Sequence, residues 1–243
     1  MATHPAATIV RGAETKIERL PSFLASKIRP YSPRCAACVD FIHIDSPLTT
    51  AFILSCTVIH AVSAVVGVDF IHNYFAVPPF AWFSFTSPKS YWRLFSHILG
   101  HSSWAHLNGN VVNLLLVMPA CERHFGGLAL LTIIFYVALA SGLAHMFLGA
   151  HNSVQLGASG VVFSMIILNS LIEMGQPGQS GTAGRIPLTF LCQICLWCWK
   201  EVISQLFSTG TGVSHVAHLV GAVVGTVMGK RLGDRHSHSA RGR

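Results

Sequence analysis

Gly157-Ala158-Ser159-Gly160 sets a hydroxyl at the head of an apolar run, Val161 to Leu168. Ala217-His218-Leu219-Val220-Gly221 sets an imidazole inside another. Serine and histidine are the smallest pair that performs nucleophilic catalysis, the ring taking the hydroxyl proton as the oxygen attacks. Polar groups buried in spans of this kind are costly, which marks them as functional candidates. His106 and Asn110 stand four residues apart, on one helix face, and both carry N–H donors. Such donors stabilise the oxyanion of a tetrahedral intermediate, at about 2.7–4 kcal/mol each in soluble proteases. Taken alone, the same two residues favour another reading, as interhelical hydrogen bonds that only hold a bundle together. The N–H of Ser159 at a helix start would be a further donor.

Gly221, Gly225 and Gly229 follow His218 at four-residue intervals. A stripe of small residues lets helix backbones approach closely. With Gly160 also small, it predicts that the His218 helix packs on the Ser159 helix. His215 is the rival base, and the glycine spacing favours His218, which lies on the packed stripe. Asp40, Asp45, Asp69 and Asp234 lie at or beyond segment ends, and Glu173 at the far side, so no acid is at hand for a triad. The expectation is a dyad, with Phe163, one turn past Ser159, placed to stack on the imidazole.

The elements that must carry these groups follow from composition. The 243 residues are 51% hydrophobic and only 10% charged, against roughly 25% charged in a soluble domain. An all-α membrane protein is predicted. Six apolar segments are expected, at about 48–68, 106–120, 128–149, 156–174, 186–207 and 213–230. The net charge of +7 does not indicate nucleic acid, because the basic residues gather at the two ends with no basic stripe among aromatics. Six Lys/Arg in residues 1–46, two in the loops at Arg123 and Arg185, and five from Lys230 onward face only Lys89 and Arg93 on the other side, with Lys200 in the fifth segment unassigned. By the positive-inside rule both termini are cytoplasmic. This divides the chain into a basic arm (1–46), a six-helix membrane domain (47–231) and a basic tail (232–243). The loop at about 69–105, rich in aromatics and proline, is expected to dip into the membrane interface. Ile17, Leu20, Leu24 and Ile28 form a weak amphipathic pattern in the arm. Cys35 and Cys38 are half a zinc site at most, so no metal and no cofactor is expected. Segments two, four and six run in the same direction, which puts His106, Ser159 and His218 at similar depth.

In this order the motifs resemble the rhomboid family of intramembrane serine proteases. Trp92-Arg93 resembles the family's Trp-Arg pair. His97, His101, His106 and Asn110 resemble its histidine-rich entry to the second helix. Gly157-Ala158-Ser159-Gly160 matches Gly-x-Ser-Gly, and the run from Ala217 through Gly221 to Gly225 matches Ala-His-x-x-Gly-x-x-x-Gly. The resemblance covers about residues 47–230. It implies a six-transmembrane bundle, Ser159 as nucleophile, His218 as general base, and His106 and Asn110 as oxyanion groups. Gly157, Gly160, Phe163, Gly221 and Gly225 are implied in support. Two departures stand out. Glu122-Arg123-His124 replaces the family's Glu-x-Arg, and Phe163 stands where tyrosine often stacks on the histidine. The implied partners are single-span membrane protein substrates and the lipid bilayer, and segment five, with Trp197 and Trp199, is the implied lateral gate. The alternatives are a non-catalytic binder of transmembrane helices and a transporter or channel.

Overall fold

A computed structural model describes residues 43–175, 186, 188, 191–196, 199 and 215–241. The arm with Cys35 and Cys38, Trp197 and most of segment five lie outside the described residues. The chain divides at Ile44 into two units, and everything below belongs to the second.

Among the described residues α-helices follow in this order: α1 (Pro47–Val66), α2 (Asp69–Tyr74), α3 (Pro88–Ser96), α4 (Trp104–Phe125), α5 (Gly127–Leu148), α6 (Ser159–Gly175) and α7 (His215–Arg241), and residues 191–196 are helical as well. Single 3-10 turns stand at Phe80–Trp82 and His97–Leu99. No strand occurs among them; Val77 and Gln155 form an isolated antiparallel bridge. Among the described residues two helices are long and apolar enough to cross a membrane, α1 at mean hydropathy 1.9 and α5 at 2.1.

α6 is the hub, with α4, α5 and α7 packed around it. Val161, Val162, Met165, Ile166 and Leu168 on α6 are buried against Leu107, Leu114 and Met118 of α4 and Leu130, Ile133 and Val137 of α5. This surround explains why α6, only 17 residues long, looks weak as a lone span. It faces protein on most sides, so it needs neither the length nor the uniform apolarity of a lipid-facing helix.

Two devices fix the helix ends. The first N–H groups of α1 have no partner within their own helix. The buried Glu122 of α4 supplies one, accepting from the N–H of Leu48 (2.9 Å), the N–H of Thr49 (2.8 Å) and the hydroxyl of Thr49 (2.7 Å). A carboxylate at a helix N-terminus is also favoured by the helix dipole. In the same last turn of α4, Gly126 alone joins α4 to α5, at φ +84°, a conformation that side chains resist. The stretch between α1 and α4 carries aromatic contacts: Phe80 stacks on Phe147 of α5, and Phe83 meets Tyr91 edge-on.

The described part of the last helix begins at His215, three residues before His218. The expected tail from 232 is helical as far as Arg241.

Candidate active site

α6 and α7 meet at backbone contact. A Cβ on Gly221 would fall on the carbonyl oxygen of Gly160, and one on Gly160 would lie 3.2 Å from the carbonyl oxygen of Ala217. A turn further on, a Cβ on Gly225 would lie 2.9 Å from Cα of Ser164. Only glycine permits this approach, and the approach sets the neighbouring residues side by side. Ser159 precedes Gly160, opens α6 and is half-buried. His218 stands one turn before Gly221 and is buried. Its ring stacks on Phe163, with centroids 5.0 Å apart and planes at 28°. Phe163 is four residues past Ser159, hence on the same face of α6. His215, the rival base, is the first residue of α7.

α4 approaches the same place from the other side. His106 lies in its first turn, where the N-cap Ser103 accepts a hydrogen bond from the His106 N–H at 3.1 Å. The ring rests against the loop that leads into Ser159. A Cβ on Gly157 would come 2.7 Å from Cε1 and 2.8 Å from Nε2 of His106, and 3.9 Å from Nδ2 of Asn110. Gly157 also has φ +116°, so glycine is required there by conformation and by space. The Asn110 amide gives one N–H to the carbonyl of His106 at 3.1 Å; it carries two.

The loop itself is pinned through the main chain. Val77 and Gln155 exchange N–H···O bonds of 2.8 and 2.9 Å, and the Gly157 N–H donates to the carbonyl of His97 at 2.9 Å. Four side chains in this surround escaped the sequence reading: His60, Ser102, Ser141 and Gln155. Ser141 and Gln155 meet at His97, from positions 44 and 58 residues away. No local pattern announces a contact of that separation. Ser103 did have a legible signal, as a serine just ahead of an apolar helical run.

A family model described as Rhomboid domain matches residues 88–235. The chain belongs to the rhomboid family. It is an all-α membrane protein. Among its relatives, Rhomboid-like protein 11, chloroplastic, of Arabidopsis thaliana is 25% identical over 67% of this chain and 56% of its own length. Rhomboid-like protein 15 of the same plant is 24% identical over 73% of this chain and 45% of its own length. The chain thus spans about half the length of these curated relatives.

In this rhomboid the histidines ahead of α4 are structural donors held neutral. His97 is fully buried. Its Nδ1–H donates to the carbonyl of Arg93 at 3.2 Å, and its Nε2 then accepts from the Gln155 amide at 3.3 Å. Burial pushes its pKa down to about 4. His101 donates Nδ1–H to the carbonyl of Leu99, and burial, then the nearby His106, bring it to about 3. Among the described residues the only buried carboxylate is Glu122, and it is engaged at the start of α1.

Proposed function

We propose that this rhomboid is an intramembrane serine endopeptidase acting through Ser159 and His218. The observation that carries the reading is the stack of His218 on Phe163, one turn past Ser159 on the helix that α7 touches through its glycines. In the proposed reaction the Ser159 hydroxyl attacks a peptide carbonyl as His218 takes its proton. The ring then returns that proton to the leaving amine, and water hydrolyses the acyl-enzyme by the reverse sequence. His106, Asn110 and the Ser159 N–H are the donors for the oxyanion.

The substrates proposed are single-span membrane proteins. A peptide bond in a helix is hydrogen-bonded internally, and exposing it in lipid costs several kcal/mol per group. Cleavage is therefore expected where Gly or Pro already weakens the substrate helix. We propose further that six spans cross the membrane with both termini cytoplasmic, following the bias of Lys and Arg, and that segment five is the side through which substrate enters.

A fluorophosphonate probe tests the chemistry directly. Wild-type protein in micelles should be labelled at Ser159, and Ser159→Ala and His218→Ala should lose both the label and the cleavage of a co-reconstituted single-span protein while staying folded. Folded wild type that refuses the probe, under conditions where other serine hydrolases react, sinks the proposal and leaves the helix-binding alternative.

A further inference from the structure

Which nitrogen of His106 holds the proton decides whether the ring can donate into the site. A neutral imidazole has one N–H and one lone pair. The Cε1–Nε2 edge of His106 is the one turned toward Gly157. The ring therefore serves a negative charge beside Gly157 only in its Nε2–H form. On the opposite edge, Nδ1 stands 3.2 Å from Oγ of Ser102. The flanks of Ser102 are both held. His60, buried late in α1, donates Nδ1–H to the carbonyl of His101 at 3.1 Å. The His60 ring also meets Trp104 edge-on, with centroids 4.5 Å apart. Ser103 is engaged with the main-chain N–H of His106, so Ser102 is the hydroxyl that reaches the ring. On the Gly157 side, the Gly157 N–H already goes to the carbonyl of His97, and it calls for no lone pair from Nε2.

We propose that Ser102 is a positioning residue that sets the tautomer of His106. Its O–H donates to Nδ1 and keeps the ring proton on Nε2, facing the loop that leads into Ser159. The benefit to catalysis rests on the protease reading; the geometry does not. Ser102 touches no reacting atom and acts only through the ring.

A hydroxyl both donates and accepts, so the experiment must read the direction of the bond. Heteronuclear NMR of the full chain in micelles, with 15N-labelled histidines and His106 assigned by difference from His106→Gln, does this. In the wild type Nε2 should be pyrrole-like and Nδ1 pyridine-like. In Ser102→Ala the two should move toward a mixture, and Ser102→Thr should restore the wild-type pattern. Turnover by Ser102→Ala should fall about tenfold at unchanged KM, a part of the 10²–10³ lost when an oxyanion donor is removed outright. A wild-type ring protonated on Nδ1, a tautomer that Ser102→Ala leaves untouched, or a shifted tautomer with full turnover each overturns the proposal. A wild type that shows the Nε2–H form but cleaves nothing removes the protease reading and leaves the tautomer assignment standing.

Discussion

A histidine stacked on a phenyl ring has its plane fixed, and a fixed plane decides where the two nitrogens point. That is the service Phe163 offers His218 in a site where, among the described residues, the one buried carboxylate is engaged elsewhere. Aromatic pairs of this kind contribute about 0.5–1.5 kcal/mol beyond the area they bury. On the opposite side of the Ser159 loop, Asn110 divides its amide between the carbonyl of His106 and the space beside Gly157. Asn110→Ala should lower kcat by about 10²–10³ with KM little changed, and steady-state cleavage of a single-span substrate measures it. The serine, the histidine and the asparagine were legible because each is a polar residue in an apolar run. The roles of Ser102, Gln155 and Ser141 were not, because their meaning lies in partners that only the fold brings near.

The helices transmit position through glycine. The stripe after His218 was readable as a four-residue repeat, but its partner was not. The structure pairs Gly221 with the carbonyl of Gly160, a backbone atom that cannot rotate away. Gly221→Ala should therefore force α6 and α7 apart, at a cost in the usual overpacking range of about 1–3 kcal/mol or more. It should remove fluorophosphonate labelling of Ser159 even where the protein remains folded. Val223→Ala, at an exposed position of the same helix, should leave both labelling and the unfolding midpoint near wild type. α6 shows the limit of hydropathy as a guide. Its 17 residues fall short of the roughly 20 that a clean span needs, because its neighbours provide the surroundings that lipid provides for α1 and α5.

Across the whole molecule, the buried histidines tie stability to acidity. His97 and His101 are held at about 4 and about 3, against about 6.5 in an unfolded chain. Above about pH 6.5 both are neutral in either state and contribute no slope. As pH falls below that value the unfolded chain takes up protons that the folded chain refuses, so stability declines toward pH 4. Each group contributes up to about 1.4 kcal/mol per pH unit. Thermal unfolding in micelles should show a midpoint that is flat from pH 8 to 7 and falls below 6.5, with a shallower fall in His97→Asn. At the same scale, α7 works as a depth gauge. Its 27 residues measure about 40 Å at 1.5 Å each, more than the roughly 30 Å of a bilayer's hydrocarbon core. Lys230 and Arg231 are exposed, and in the proposed six-span arrangement they would anchor that helix where lipid meets water. Counting back to His218 gives about 20 Å. In that proposed arrangement an upright helix would hold the imidazole about 10 Å below the opposite membrane surface, shallow enough for water to reach it and deep enough for the proposed protease to meet a substrate segment before it leaves the lipid.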